Sequence, residues 1–273
     1  MNRRQSAPAS LAHIRIDGVG KVFQGDGREV IALQDINLEI RQGEFVCLLG
    51  PSGCGKSTLL NALAGFAQPS AGSIIADGQE VVGPGPERGM VFQEYALFPW
   101  MTVAENIAFG LQIKGLPKAE IEAIVARLLA TLSLTEFRQR FPKDLSGGMR
   151  QRVAIARVLA LDSPIMLMDE PFGALDALTR RNLQDELLRI WSELKKTIIF
   201  VTHSIEEAIY LADRIIVMTY RPGSVKRDIM VDLARPRDPS EARFNGLKRE
   251  LGQLVMEEQQ RYHHDELRIA AAG

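Results

Sequence analysis

The stretch Phe45-Val-Cys-Leu-Leu-Gly-Pro-Ser-Gly-Cys-Gly-Lys-Ser-Thr58 decides the fold of this 273-residue chain. Its first five residues, Phe45–Leu49, are all apolar, which is typical of a strand buried in a parallel sheet. The next eight match the pattern G-x-x-x-x-G-K-[ST], and Thr58–Ala64 then reads as a helix. A strand, a glycine-rich loop and a helix in this order predict a phosphate-binding loop.

The residue types in this loop suit phosphate chemistry. Glycines let backbone N–H groups turn towards a phosphate, and the start of the following helix adds partial positive charge. Lys56 can reach the β- and γ-phosphates, and the Ser57 hydroxyl can bind Mg²⁺. A chance glycine-rich turn is the alternative. The nucleotide-binding residues predicted in the loop are Gly50, Pro51, Ser52, Gly53, Cys54, Gly55, Lys56, Ser57 and Thr58.

A second apolar run, Ile165–Met168, ends in two acidic residues. Asp169 at the strand end is placed to hold Mg²⁺, directly or through water. Glu170 is the natural candidate to activate the attacking water. The alternative is an ordinary solvated acidic strand end. The presence of a phosphate-binding loop in the same chain makes this alternative less favoured.

A second glycine-rich motif, Leu145-Ser-Gly-Gly-Met-Arg-Gln-Arg152, precedes a helix predicted over Met149–Leu161. Ser146, Gly147 and Gly148 could bind a small anion through exposed amides and a hydroxyl, although a serine there is more often a plain helix cap. Two phosphate-type sites in one chain are unusual for a simple kinase or GTPase.

The rest of the chain falls into three parts. Residues 13–92 read as short strands separated by turns, 101–162 as mostly helical, and 164–231 as alternating strands and helices, which predicts parallel βαβ units. The predicted elements in the last two parts and the tail are Thr102–Ile113 with a Thr102 cap, Lys118–Leu132, Leu178–Leu194, Thr197–Val201, Ile205–Ala212, Arg214–Thr219 and Glu241–Gln260.

Composition excludes several classes of protein. Apolar residues make up 46% and charged residues 25%, so disordered, collagen-like and coiled-coil chains are excluded. The net charge of −1 gives no overall field for nucleic acid. Two cysteines cannot form a disulfide framework, and neither a signal peptide nor a transmembrane helix is expected. We expect a cytosolic protein without a nucleic-acid partner.

The chain resembles the ATP-binding cassette (ABC) ATPases. The resemblance covers roughly 14–244 and implies an α/β fold, a P-loop NTPase with a RecA-like core, an antiparallel β subdomain and an inserted α-helical subdomain near 98–161. We therefore expect an ATPase domain at 13–244, preceded by a flexible N-terminus at 1–12 and followed by a C-terminal helical tail at 245–273. The motifs that carry it, in order, are Gly50–Thr58, Gln93 in Val91-Phe-Gln-Glu94, Leu145–Gln151, Ile165–Glu170, Ala174-Leu-Asp176 and His203 in Val201-Thr-His-Ser204.

This resemblance also implies a role for each matching residue. Lys56 would grip phosphate, Glu170 would be the general base, and His203 would contact the γ-phosphate and the water. The Mg²⁺ ligands would be Ser57, Gln93 and Asp169. In the family, two ATP molecules lie between head-to-tail subunits, so the signature of one subunit would clamp the γ-phosphate held by its partner. The implied signature residues are Ser146, Gly147, Gly148 and Met149.

Two positions depart from the family pattern. Met149 stands where the signature usually has Gln, which keeps the helix and loses one polar contact. Phe23 is the best match for the aromatic residue that stacks on adenine, often Tyr; a core aromatic is its alternative role.

Glu94–Val103 and Asp169–Thr179 resemble the nitrate/sulfonate/taurine group of bacterial importers. The resemblance implies an ATP-binding and ATP-hydrolysing homodimer on the cytoplasmic face of the plasma membrane, with a membrane permease and a periplasmic or surface substrate-binding protein as partners. Two alternatives remain: a soluble ABC ATPase not coupled to transport, and another P-loop enzyme such as a small-molecule kinase. The sequence does not identify the solute.

The apolar loop Tyr95–Met101 begins two residues after Gln93. Phe98 and Trp100 in this loop allow two interpretations. Either they pack under the helical subdomain, or part of the loop lines a groove that receives a helix of the permease.

Overall fold

The structure, a computed structural model, describes residues 12–25 and 28–272. Of the N-terminal segment predicted to be flexible, 1–11 lies outside this part, and Ala12 begins the first strand. The strands are β1 Ala12–Gly25, β2 Arg28–Arg41, β3 Phe45–Leu49, β4 Ala71–Ala76, β5 Gln79–Glu80, β6 Arg88–Val91, β7 Ile165–Asp169, β8 Thr197–Thr202, β9 Arg214–Met218 and β10 Val225–Met230. The helices are α1 Lys56–Ala64, α2 Val103–Ile113, α3 Lys118–Thr131, α4 Gly147–Ala160, α5 Ala177–Leu194, α6 Ile205–Leu211 and α7 Ala242–Ala272.

A six-stranded sheet forms the centre of the molecule, in the order β10-β9-β3-β8-β7-β6. Five of its strands are parallel, and β10 pairs with β9 antiparallel at one edge. Strand β3, which is uniformly apolar, and β8, which is apolar between its two terminal threonines, are buried along their whole length, because helices cover both faces of the sheet. The α/β architecture predicted from the alternation of strands and helices is confirmed.

Side chains of one strand point alternately into two cores. Phe45, Cys47 and Leu49 belong to the core on one face of the sheet. Val46 and Leu48 belong to the core on the other face. Because successive side chains of a strand point to opposite faces, this short strand ties both layers of helices to the sheet.

A smaller antiparallel sheet has the order β2-β1-β4-β5. Short strands are expected here, yet β1 and β2 each have 14 residues and pair over nearly their whole length. Register shifts interrupt the β1–β2 pairing between Ile16 and Val22, which explains why no clean alternation is visible in the sequence.

Helices α2, α3 and α4 form the middle part of the chain. The predicted cap of α2 is confirmed: the Glu105 backbone N–H donates to Thr102 Oγ1, and the Thr102 N–H donates to Glu105 Oε2 at 2.7 Å. Helix α4 begins at Gly147, two residues before the predicted start at Met149. Within the described ranges, no helix has the length and apolar composition needed to cross a membrane.

The tail helix α7 extends to Ala272, well beyond the predicted end at Gln260. Its charged sequence predicts a solvated face, and one side is indeed polar. The other side buries Phe244 and Leu251 in the same core as α2 and α4. The tail therefore packs on the rest of the molecule, mainly against α6 and β9.

We predict that Gly65→Ala destabilises the protein more than Gly78→Ala does. Both glycines have a positive φ, +81° and +75°, which costs a side chain about 1 kcal/mol or more. A Cβ on Gly65 would also lie 2.1 Å from the Gly83 carbonyl oxygen, whereas one on Gly78 meets nothing within 4 Å. Urea unfolding should give a further loss of roughly 1–3 kcal/mol for Gly65→Ala. Equal losses would show that this close approach costs nothing.

Candidate functional site

The carboxyl ends of the parallel strands bring the predicted site residues to one edge of the sheet. Leu49 at the end of β3 pairs with Thr202 at the end of β8, and Asp169 at the end of β7 pairs with Val201. The phosphate-binding loop, the acidic pair and His203 each follow one of these strand ends. A crevice at this edge is where open α/β sheets bind ligands.

The phosphate-binding loop has the conformation that its glycines allow. Gly53 and Gly55 have φ values of +76° and +97°. A Cβ on Gly55 would lie 2.7 Å from Leu33 Cδ2 and 2.9 Å from the Ala32 carbonyl oxygen, so β2 leaves room for glycine alone. Helix α1 begins at Lys56, two residues before the predicted Thr58. Lys56 and Ser57 therefore lie in the first turn, where backbone N–H groups are free to bind an anion.

Lys56 lies buried in the middle of the loop. Its ammonium group donates hydrogen bonds to the carbonyl oxygens of Gly50 and Pro51, both at 2.9 Å. The thiol of Cys54 is also buried here, 3.8 Å from Lys56 Nζ. Burial raises the pKa of the Cys54 thiol. Cys54 thus acts as a small neutral residue that fills the space inside the loop.

Ser57 and Asp169, two of the three predicted Mg²⁺ ligands, lie in hydrogen-bond contact. The Ser57 hydroxyl donates to Asp169 Oδ1 at 2.9 Å. Burial raises the pKa of Asp169, the charge of Glu170 adds to this effect, and the Ser57 hydrogen bond opposes it. A hydroxyl and a carboxylate are the hard oxygen ligands that Mg²⁺ prefers. The side chains present therefore fit a magnesium ion that also binds phosphate.

Glu170 and His203 lie in contact at the same edge. Glu170 Oε2 is 3.1 Å from His203 Nδ1. The backbone of Glu170 has a φ of +43°, and its N–H donates to the Val201 carbonyl oxygen at 3.1 Å. A strained conformation of this kind is typical of functional positions, where surrounding structure holds the residue in place.

Lys56, Ser57 and Glu170 line a cavity of about 420 Å³. Asp169 and His203 are not lining residues; they contact Ser57 and Glu170, respectively. Phe23 lines the cavity and is 45% exposed, so the interpretation of Phe23 as a core aromatic is wrong. Gln93, two residues beyond β6, also lines it. Sequence reasoning missed Val30, Ala32 and Arg221, because no motif marks them. The lining residues are Phe23, Val30, Ala32, Ser52, Gly53, Gly55, Lys56, Ser57, Thr58, Gln93, Glu170 and Arg221.

The second glycine-rich motif lies elsewhere in the chain. Ser146 caps α4 by accepting from the Met149 N–H at 3.3 Å, and Met149 packs against the core. A Cβ on Gly148 would lie 2.6 Å from Thr179 Cγ2, and one on Gly147 would lie 3.2 Å from Leu175 Cδ2. This motif contacts the start of α5 and is not part of the cavity lining. Within the described chain, the two predicted phosphate sites are thus separate.

We predict that Asp169→Asn removes the Mg²⁺ dependence of nucleotide binding. Loss of one carboxylate should weaken Mg²⁺ binding at least about tenfold. Without nucleotide at neutral pH, the variant should melt at a higher temperature, because the raised pKa of Asp169 means that its buried charge destabilises the fold. That advantage should fade as the pH falls through the Asp169 pKa.

Differential scanning fluorimetry with ATP, with and without Mg²⁺, measures both effects. Asp232→Asn, at a side chain that is 99% exposed, is the matched control. An Asp169→Asn protein that still needs Mg²⁺ for stabilisation by ATP would remove Asp169 from the metal site.

Comparison of the sequence with known proteins assigns this chain to a family. Residues 33–173 match the family ABC transporter. A nitrate import ATP-binding protein from Synechocystis sp. is 46% identical over 87% of this chain and 90% of its own length. A taurine import ATP-binding protein from Roseobacter denitrificans is 51% identical over 77% of this chain and 78% of its own length.

Comparison with solved structures finds the same fold in an ATP-binding cassette. The dimeric post-hydrolysis state of an ATP-binding cassette, bound to ADP and Pi, superposes with a TM-score of 0.72 at 33% identity, over 81% of this chain and 100% of that one. The ABC ATPase fold predicted from the sequence is confirmed. The chain belongs to the ABC transporter family.

Proposed function

We propose that this chain is the subunit of an ABC importer that binds and hydrolyses ATP to drive uptake of a small anion such as nitrate, taurine or another sulfonate. The observation that carries the proposal is the convergence of Ser57, Asp169, Glu170 and His203 on the phosphate-binding loop. The relatives named for nitrate and taurine import support the class of solute. An ABC ATPase not coupled to transport is the alternative, and neither relative favours it.

The residues at the cavity have distinct chemical tasks. The free N–H groups of α1 and the ammonium of Lys56 hold the phosphates, and Phe23 offers a ring face to the adenine. Ser57, Gln93 and Asp169 would hold Mg²⁺, which neutralises phosphate charge when bound. Glu170 accepts the proton of the attacking water, and His203 keeps the Glu170 carboxylate in position through their 3.1 Å contact.

A head-to-tail homodimer would complete this site. The signature residues Ser146 to Met149 are absent from the cavity of their own chain, although Ser146 is exposed and Gly147 presents its N–H at a helix start. A second copy could place this motif over the nucleotide. The dimeric state of the solved cassette supports this assembly.

The remaining partners follow from an importer function. The relatives named as nitrate and taurine import ATP-binding proteins support a membrane permease as a partner. We place the subunit on the cytoplasmic face of the membrane, where ATP is available. A periplasmic or surface substrate-binding protein would choose the solute, so the identity of the solute lies outside this chain.

We predict that Glu170→Gln keeps ATP binding and loses turnover by about 100-fold or more, because an amide cannot accept the proton of the water. The variant should accumulate as an ATP-bound dimer. Light scattering should then show a doubling of mass on addition of Mg-ATP, and phosphate release measures turnover.

The double variant Glu170→Gln with Ser146→Arg is the control. It should bind ATP and stay monomeric, because the arginine blocks the clamp on the partner's nucleotide. Normal turnover by Glu170→Gln would remove Glu170 from the role of base. A mass doubling that survives Ser146→Arg would mean that the dimer does not use the signature.

An apolar groove of about 650 Å³ supports the permease interface. Phe98 lines it and packs against Phe109, with ring centroids 4.5 Å apart, and Phe66 stacks on Phe92 at 6.0 Å. Trp100 is not a lining residue but lies at the edge of the groove beside Phe98, with ring centroids 5.7 Å apart, and it is 69% exposed. Burial of Trp100 under the helical part is therefore wrong, whereas Phe98 is half-buried and combines both interpretations.

We propose that this groove receives a helix of the permease. A contiguous exposed apolar surface rimmed by polar residues often marks an interaction site. Tyr95 and Ala96, which join Gln93 to the groove, have φ values of +63° and +47°. Arg157 Nη1 donates to the Ala96 carbonyl oxygen at 2.6 Å, so α4 holds this strained link. Movement of Gln93 on nucleotide binding would then reach the groove.

We predict that Trp100→Ala and Phe66→Ala weaken co-purification with the permease, since truncating an aromatic anchor commonly costs about 2 kcal/mol or more of binding free energy. Both residues are mostly exposed, so the isolated subunit should keep its melting temperature and its ATP binding. Phe98→Ala should weaken docking too and also lower the melting temperature.

Met256→Ala is the matched control, because Met256 is 58% exposed on α7, outside the groove. It should leave co-purification unchanged. Normal assembly and transport by Trp100→Ala and Phe66→Ala would contradict docking at this groove.

A further inference from the structure

The cavity at the phosphate-binding loop contains a cationic side chain that belongs to no motif. Arg221 lies in the segment 219–224 between β9 and β10, and it lines the cavity together with Lys56. Its Nε donates a hydrogen bond to the carbonyl oxygen of Gly53 at 3.1 Å. The guanidinium is thus attached to the rim of the loop that is to hold phosphate.

Most of the hydrogen-bonding capacity of Arg221 is unused. A guanidinium has five N–H donors, and Arg221 makes one hydrogen bond to the described part of the chain. Nη2 lies 3.5 Å from the position that a Cβ on Gly53 would take. The side chain is exposed to the cavity. Four donors therefore remain available beside the loop.

The backbone next to Arg221 is fixed against the phosphate-binding loop. Gly223 donates its N–H to the Ala32 carbonyl oxygen at 3.0 Å and accepts from the Gln34 N–H at 2.9 Å. A Cβ on Gly223 would lie 2.2 Å from the Cys54 carbonyl oxygen. This close approach seats the segment on both β2 and the loop.

The tail helix holds the same segment from the other side. The Tyr220 N–H donates to Glu258 Oε2 at 2.9 Å, and Glu258 is fully buried. Lys226 Nζ donates to Glu258 Oε1 at 2.6 Å, which compensates the buried charge. The residue that precedes Arg221 is therefore anchored by α7. A cation on such a fixed segment is preorganised for an anion, which lowers the cost of binding.

We propose that Arg221 is a nucleotide-binding residue whose guanidinium donates hydrogen bonds to the phosphate chain of ATP and ADP. The planar fork of arginine matches phosphate oxygens, and hydrogen bonds between charged groups are the stronger ones. The acidic residue in the cavity lining, Glu170, needs cations beside it if a polyphosphate is to enter. This inference rests on the proposed ATP site and adds one residue to it.

The test is titration of the full-length protein with Mg-ADP in a calorimeter, which needs no turnover. Arg221→Ala should bind ADP about tenfold more weakly than the wild type, as expected for one lost charged hydrogen bond. Arg221→Lys should fall between the two, because it keeps the charge and loses the fork. Arg227→Ala is the matched control: Arg227 is an exposed arginine on β10 outside the cavity lining, and its removal should change nothing.

Two further measurements show whether Arg221 contacts phosphate or only stabilises the loop through its hydrogen bond to Gly53. The melting temperature without nucleotide should be unchanged in Arg221→Ala. Its deficit in ADP affinity should shrink as salt rises from about 0.1 M to about 1 M, because exposed charges are screened. A deficit that is independent of salt and comes with a lower melting temperature would overturn the proposal.

A Lys56→Ala variant tests the proposed ATP site separately from the role of Arg221. If Lys56→Ala loses ADP binding and Arg221→Ala binds within twofold of the wild type, the role of Arg221 is overturned and the ATP site stands. If Lys56→Ala binds ADP normally, the proposed ATP site fails, and the role of Arg221 fails with it.

Discussion

The parallel register of β3, β8 and β7 is the constraint on which the site depends. Leu49 pairs with Thr202 and Asp169 with Val201, so three strands end within one residue of each other. The functional segment at the end of each strand therefore lies in the same crevice. A slip of one residue would turn every side chain of a strand to the opposite face of the sheet. The two cores on either side prevent this slip, because β3 contributes alternate side chains to both.

The phosphate-binding loop is shaped by contacts from outside as much as by its own glycines. Gly55 approaches β2, and Gly223 approaches Cys54, each at distances that exclude a side chain. The antiparallel sheet and the segment before β10 therefore support the loop from two directions. Through Glu258, the tail helix supports that segment in turn. The nucleotide site is in this way connected to the part of the chain whose role the sequence leaves undefined.

Much of the fold and the site could be predicted because the relevant signals are local. Phe45–Leu49 reads as a buried strand because five consecutive apolar residues suit a strand covered on both faces. Thr102 and Glu105 predict the start of α2 because both partners of the capping box lie within one turn. Signals were weaker for β1 and β2, where register shifts break the alternation, and for the exposed fraction of Trp100, which depends on distant neighbours.

The sequence by itself determined the chemistry: the phosphate-binding loop, the Asp169–Glu170 pair and the signature are runs of adjacent residues whose types already define what they can bind. Only the tertiary structure decided which distant groups join them. Phe23 and Arg221 enter the cavity because strand pairing and the packing of 219–224 carry them there, and no local pattern encodes such a contact. The signature stays away from the cavity for the same reason: α4 packs against α5, which directs its start away from the loop of its own chain.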